Sequence, residues 1–372
     1  MISSVKKNNN NLIIFMPSME GGGVEKNIIL ISNFLINYIK NITLITFDKK
    51  FSKLFDKRIK IIYPEKKKKI YSKYSKYYYC LKILIKEVIK KKKSLIFSFQ
   101  ANIYCLILSK IFNFKIIVRS NSSPTGWNKN FIKNFIFKIF LKKANAIIVN
   151  SHDFKNELDK KFNTNAKVIY NPLNKNDIIK KSREFFDFNF FKSKKYLRII
   201  NIARFTDQKD QSTIIKAFNE INKKISCKLL LLGYGKNKNL IINLIKKYKL
   251  NKNIKVIPYQ KNPYKYLRMS DLFVLSSLYE GLPNVLLEAL TLKKFIISSN
   301  CPTGPREILK NGKYGLLFKP GDYKDLAKKI YHFQKYKKKL KKKILFGFKS
   351  LNRFDYESNS KKYLNIIEQN LQ

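Results

Sequence analysis

The 372-residue sequence predicts an α/β protein of two facing, doubly wound domains, each a parallel sheet covered by helices, with a ligand cleft between them. Three observations carry that prediction. Short apolar runs alternate with helical patterns through the first half. After a polar, aromatic-rich connection the alternation starts again. Several of the loops that follow strands are rich in glycine or in basic residues. Strands that are apolar throughout, rather than at every second residue, belong to a sheet buried on both faces.

In the first half, residues 12–16, 42–47, 59–63, 95–99, 115–119 and 146–150 read as strands, with helices between them at 24–38, 78–90, 103–111, 131–142 and 153–162. A short run at 168–170 ends at Asn171-Pro172, and the domain boundary is placed there. Residues 1–172 form the first domain, 173–196 a linker, 197–350 the second domain, and 351–372 a terminal helix able to pack back on the first. The second half gives strands at 197–202, 227–232, 254–257, 272–275, 295–299 and 316–318, then terminal helices at 323–345 and 356–369.

Lys and Arg number 78 against 24 Asp and Glu, a net charge of +54. The excess is evenly spread: residues 1–186 hold 38 basic and 11 acidic side chains, the remainder 40 and 13. Only eight of the 78 are Arg, and Lys, Asn, Ile, Phe and Tyr are enriched together, as A/T-rich codons dictate. A nucleic-acid surface gathers Arg and aromatics on one face, so no specific nucleic acid is expected. The lysine runs at 66–69, 90–93 and 337–343 read as solvated surface. Cys80, Cys105, Cys227 and Cys301 have no metal-type spacing and read as reduced thiols of a cytosolic protein. Lys6 and Lys7 are followed by asparagines rather than an apolar core, so no signal peptide is expected. Every apolar stretch is interrupted well short of a membrane span.

The most informative stretch is 277–307, SLYEGLPNVLLEALTLKKFIISSNCPTGPRE. With Leu282 as cap, Pro283 falls at the first helical position, where its missing N–H costs nothing. The backbone N–H groups of Asn284 and Val285 then offer a phosphate site at the positive end of the helix dipole. Glu280 precedes the helix at the mouth of that site; Glu288, just over one turn in, can accept from hydroxyls attached to the phosphate.

Other loops follow strands in the same way. Gly21-Gly22-Gly23 either makes a plain tight turn or lets the backbone approach a phosphate or sugar. Arg204 and Lys209 can converge on one pyrophosphate, the Arg as a fork and the Lys as a point charge. Gly233 and Gly235 form either a simple turn or a close-approach loop. Arg119 and Asn121 end a strand and could meet a sugar, or Arg119 could pair with an acidic neighbour. No Asp-x-Asp occurs, so a divalent metal has no evident ligands and none is expected.

Glu280, seven intervening residues and Glu288 resemble the paired-glutamate signature of retaining glycosyltransferases of the GT-B fold, family 4 in particular. The specific part of the resemblance lies in Ser276-Ser277, Tyr279, Gly281-Leu282-Pro283 and Cys301-Pro302-Thr303-Gly304-Pro305-Arg306-Glu307. It implies two Rossmann-like domains, with Glu280 on the transferred sugar, Glu288 on the ribose hydroxyls, and Arg204 and Lys209 on the donor pyrophosphate. It also implies Gly22 and Gly23 facing the pyrophosphate or acceptor, Gly233 and Gly235 against the nucleotide, and the base held by the backbone of Pro258-Tyr259-Gln260. Gln100 stands where many members carry a histidine, with Asn102 beside it, which leaves a His-assisted step without its residue.

The implied activity is transfer from a nucleotide-sugar donor, UDP-linked, to a lipid-linked or growing glycan acceptor in surface polysaccharide assembly, without cofactor or metal. Such an enzyme works in the cytoplasm at the inner face of the membrane. Two segments suit an anionic bilayer, 66–93 with interleaved Lys and Tyr, and 131–143 with Asn134, Lys138 and Lys142 on one stripe. Ordinary surface and core explain them equally well. Transfer to a small soluble acceptor, a sugar-nucleotide binding protein without turnover, and a basic nucleic-acid-binding α/β protein are the alternative readings.

Overall fold

The computed structural model describes residues 8–65, 72–91, 93–121, 124–126 and 131–371. The chain divides into two compact units, the first made of residues 1–172 and 354–372, the second of 173–353.

The first unit runs β1 (Asn8–Phe15), α1 (Gly23–Leu35), β2 (Ile39–Ile45), β3 (Lys60–Ile62), α2 (Lys73–Lys90), β4 (Ser94–Ser98), α3 (Asn102–Ile111), β5 (Lys115–Arg119), α4 (Phe131–Leu141), β6 (Ala146–Val149), α5 (His152–Phe162) and β7 (Lys167–Val168). The seven strands pair in parallel in the order β3-β2-β1-β4-β5-β6-β7. Successive side chains of a strand point to opposite faces, so both faces of this apolar sheet need cover. Leu12, Ile14, Leu95 and Phe97 pack on one side with Ile28 and Ile31 of α1. Ile13, Phe15 and Ile96 pack on the other with Leu84 of α2, Leu106 of α3 and Phe154 of α5. The order reverses between β1 and β4, and the loops after these two strands meet there.

The second unit runs α6 (Lys175–Ser182), β8 (Leu197–Ile202), α7 (Gln211–Asn222), β9 (Cys227–Leu232), α8 (Lys238–Lys247), β10 (Ile254–Ile257), α9 (Tyr264–Met269), β11 (Leu272–Leu275), α10 (Asn284–Thr291), β12 (Phe295–Ser299), α11 (Pro305–Ile308), β13 (Leu316–Phe318), α12 (Tyr323–Lys335) and α13 (Lys337–Lys349). Its six parallel strands take the order β10-β9-β8-β11-β12-β13, with the reversal between β8 and β11. The loops carrying Arg204-to-Lys209 and Glu280 follow those two strands, so the topology itself brings them together.

Two expectations differ from what is observed. Residues 173–196 are no free connection: α6 packs on α9 and α10, and Phe188 and Phe191 are buried within the second unit. The helix expected over 323–345 breaks at Tyr336, which leaves helical geometry at φ −112° and ψ 24°. The turn lets Leu340 and Ile344 reach the core that Leu326 and Ile330 already line. Neither Gly nor Pro marks that break in the sequence. The last helix, α14 (Tyr356–Leu371), belongs to the first unit, where Tyr363 lies 6.0 Å from the Phe97 ring and the Tyr356 hydroxyl donates to Leu30 O.

Candidate functional site

The Glu280 carboxylate is the most tightly held group of the second unit's switch point. The residue is 6% exposed. Lys209 Nζ approaches its Oε1 at 2.5 Å, and the Ser277 hydroxyl donates to the same oxygen at 2.7 Å. The backbone is fixed as firmly. Glu280 N–H donates to Pro302 O at 2.7 Å, while Thr303 donates through N–H and Oγ1 to Glu280 O, both at 3.3 Å. Gly304, at φ +88°, passes so close to Gly281 O that a Cβ there would lie 2.0 Å from it. Only glycine fits that position. The basic loop is tied to the same strand end: Ser276 Oγ donates to Lys209 O, Leu278 N–H to Gln208 O, and Gln208 Nε2 to Tyr279 O. Such a carboxylate can accept hydrogen bonds from hydroxyls, and Lys209 and Arg204, whose backbone is held by Gln211, bring positive charge to the same loop.

The helix after Glu280 starts one residue later than the sequence suggests. Pro283, not Leu282, is the cap of α10, at φ −72° and ψ 106°, and Asn284 opens the helix. The extended ψ of Pro283 keeps it outside the first turn. Leu282 is buried, so its side chain serves the core. Pro283 O already accepts from Leu286 N–H at 3.0 Å, which leaves Asn284 and Val285 as the N–H positions at the helix end. Glu288 follows on α10, 3% exposed, with the Tyr264 hydroxyl of α9 at 3.4 Å from its Oε1.

Gly233 and Gly235 lie against the Arg204 loop. A Cβ on Gly233 would meet Ala203 O at 1.9 Å and one on Gly235 would meet Phe205 O at 2.3 Å. Phe205 N–H donates to Tyr234 O at 2.6 Å, which locks the two loops together. Tyr234 and Tyr259 meet edge to face at 5.9 Å, so the loop expected to hold the base joins the same assembly.

In the first unit the expected residues form a network of their own. Gln100 spans the switch point, its amide accepting from Ser18 N–H and donating to Ser18 O. Asn102 accepts from the Ser98 hydroxyl and donates to Arg119 O. Asn121 accepts from Arg119 and donates to Phe99 O. Arg119 turns inward, contrary to the sugar-contact expectation. It is 0% exposed, and its guanidinium donates to Tyr363 OH at 2.9 Å, Asn171 Oδ1 at 2.6 Å and Asn121 Oδ1, with the Phe99 ring at 5.4 Å. Gly22 caps α1, and the buried Glu25 carboxylate accepts from Glu20 N–H and Gly22 N–H, both at 2.9 Å. The glycine loop, which continues into Gly23, thus carries its own negative partner.

Ser277 and Thr303, which in the sequence merely flank the glutamate pair, contact Glu280 directly through their side chains. Burial, with the Glu280 charge beside it, pushes the Cys301 thiol up to about 12, so a neutral thiol neighbours this carboxylate. Among the described residues no group of three His, Cys, Asp or Glu side chains could hold a metal, and no helix is long and apolar enough to cross a membrane. In the segments expected to meet a bilayer, α2 exposes Tyr74, Tyr78 and Ile89, and α4 exposes Phe135 and Ile139 beside Lys138. Lys66–Lys69, Tyr71 and Lys92 lie outside the described residues.

Residues 182–345 match the family model described as glycosyl transferases group 1. An uncharacterized glycosyltransferase of Methanocaldococcus jannaschii is 35% identical over 248 residues, 58% of this chain and 59% of that relative, so the chain spans under two thirds of its length. The N-acetylgalactosamine-N,N'-diacetylbacillosaminyl-diphospho-undecaprenol 4-alpha-N-acetylgalactosaminyltransferase of Campylobacter jejuni is 24% identical over 274 residues, covering 70% of this chain and 73% of that protein. Among solved structures, Anabaena HepE in complex with UDP and glucose superposes with a TM-score of 0.79 at 17% identity, over 97% of this chain and 100% of that one. The chain carries a glycosyl transferases group 1 domain at residues 182–345, and its two parallel-sheet units have the fold of GT-B glycosyltransferases.

Proposed function

We propose that this protein is a retaining, metal-independent glycosyltransferase that moves a hexosyl or N-acetylhexosaminyl group from a UDP-linked donor to a lipid-linked or growing glycan acceptor in surface polysaccharide assembly. The observation that carries this reading is the buried Glu280 carboxylate, held beside Lys209 where the second sheet reverses its order. The UDP and glucose bound by Anabaena HepE support the donor, and the diphospho-undecaprenol acceptor named for the Campylobacter relative supports the acceptor class.

In the proposed reaction an acceptor hydroxyl oxygen bonds to the anomeric carbon while the bond from that carbon to the β-phosphate oxygen breaks. The acceptor proton passes to the departing nucleoside diphosphate. Glu280 accepts from hydroxyls of the transferred sugar and Glu288 from those of the ribose. Lys209 exchanges Glu280 for the diphosphate, and with Arg204 and the N–H groups at Asn284 and Val285 it offsets the leaving-group charge. The exposed tyrosines of α2 and the Phe135, Lys138 and Ile139 face of α4 then lie against an anionic bilayer, where a lipid-linked acceptor is met.

The test is calorimetric titration with UDP alongside turnover across a panel of UDP-sugars. Arg204→Ala and Glu288→Ala each lose a charged hydrogen bond and should bind UDP about 10- to 100-fold more weakly. Glu280→Gln should keep its UDP affinity and lose turnover. Unchanged UDP affinity in both donor-site variants would refute the assignment. Activity lost in EDTA and restored by Mg²⁺ or Mn²⁺ would refute metal independence.

A further inference from the structure

Ser277 is 0% exposed and lies two residues past the end of β11, in the middle of the second sheet. The other serines at these strand ends spend their hydroxyls on backbone carbonyls: Ser276 on Lys209 O at 2.7 Å, Ser298 on Ser299 O at 3.1 Å, and Ser299 on Ser277 O at 2.6 Å. Ser277 alone of the four donates to a carboxylate, Glu280 Oε1 at 2.7 Å. Lys209 Nζ meets the same oxygen, and among the described residues no hydrogen bond ends on Oε2. Two donors therefore converge on one oxygen and leave the other free to accept.

The two donors differ in reach. Lys209 ends a flexible four-carbon stem and its side chain is 15% exposed, so it can turn to an arriving anion. Ser277 has a single χ1 rotor on a backbone fixed by the Ser299 hydroxyl on its carbonyl, and by the bond from the next residue, Leu278 N–H, to Gln208 O.

We propose that Ser277 is a positioning residue for sugar transfer: it keeps Glu280 Oε1 in place once Lys209 moves to the donor diphosphate, and so presents Oε2 to the hydroxyls of the transferred sugar. This rests on the reading of Glu280 as the sugar-contacting residue. A neutral hydroxyl suits the task because it is unaffected by the charge of the diphosphate that draws Lys209 away.

The experiment compares Ser277→Ala, Ser277→Thr and Glu280→Gln in the full chain. It measures UDP affinity by calorimetry, and kcat and KM with whichever UDP-sugar the unaltered protein turns over. Losing one hydrogen bond to a charged group should lower kcat of Ser277→Ala about 10- to 100-fold, with UDP affinity unchanged. Ser277→Thr, which keeps the hydroxyl, should recover most of the turnover. Unaltered kcat in Ser277→Ala would overturn the proposal, as would a turnover loss matched by an equal loss of UDP binding or one that Ser277→Thr does not reverse. If Glu280→Gln turns over normally, the reading of Glu280 itself fails, whatever Ser277 does.

Discussion

Replacing Lys209 by Met isolates the ion pair at the centre of the candidate site. The Lys209 and Glu280 side chains are 15% and 8% exposed, so solvent screens their 2.5 Å contact weakly. Breaking a buried pair from one side costs about 3–5 kcal/mol, because the remaining charge stays desolvated. Here the Ser277 hydroxyl still serves Oε1, which brings the expected cost of Lys209→Met down to about 2–3 kcal/mol. Glu280→Met leaves an ammonium on a flexible stem that can find water, and should cost about 1–2 kcal/mol. The double variant removes both charges and leaves two apolar side chains, so it should be no less stable than Lys209→Met. The coupling between the sites is then at least about 1–2 kcal/mol. Urea unfolding of the four proteins measures it, followed by the transition of the unit holding residues 173–353. Additive losses, with coupling below about 0.5 kcal/mol, would show that the contact contributes nothing and would refute the reasoning.

Gly304→Ala should destabilise by more than about 1 kcal/mol and abolish turnover, since its Cβ would meet Gly281 O at 2.0 Å and displace the loop that holds Glu280; an unchanged urea midpoint would contradict this. Lys294 is the expected source of a pH dependence: burial lowers it to about 8, while its Nζ donates to Arg268 O and Ser270 O. The unfolded chain holds this proton up to the ordinary lysine value near 10.4, so between about pH 8 and 10 the unfolded state binds more protons. The stability of the unaltered protein relative to Lys294→Met should therefore rise with pH across that window, by on the order of 2 kcal/mol; a flat or falling difference would contradict it. For the proposed bilayer contact, flotation with vesicles containing anionic lipid should recover the protein at low salt. Serines at Tyr74, Tyr78, Phe135 and Ile139 should release it, and equal recovery with neutral lipid would refute the contact.

Much of the fold is legible in the sequence, because a parallel sheet covered on both faces writes its strands as unbroken apolar runs. All six strands of the second unit, from β8 to β13, are read with their observed bounds. Helix ends are less legible. Pro283 fits both the cap and the first helical position, and only its ψ of 106° decides. The break at Tyr336 has no local signal; it follows from where the core lies.

The sequence by itself determined that two sheets form, that glycine-rich and basic loops end particular strands, and that Glu280 and Glu288 flank a helix start. These features depend on residues near one another in the chain. Only the tertiary structure decided which of them meet. Lys209 and Glu280 are joined across 71 residues, Gln100 and Ser18 across 82, and Arg119 and Tyr363 across 244. Such partners are chosen by strand order, since the reversal between β8 and β11 sets two loops side by side that the sequence leaves far apart. The same rule turned Arg119 from a candidate sugar contact into a buried tie: α14 returns to the first unit and places the Tyr363 hydroxyl where the guanidinium needs an acceptor. Side-chain polarity is written residue by residue, but whether a polar group faces ligand or core depends on what the rest of the chain lays over it.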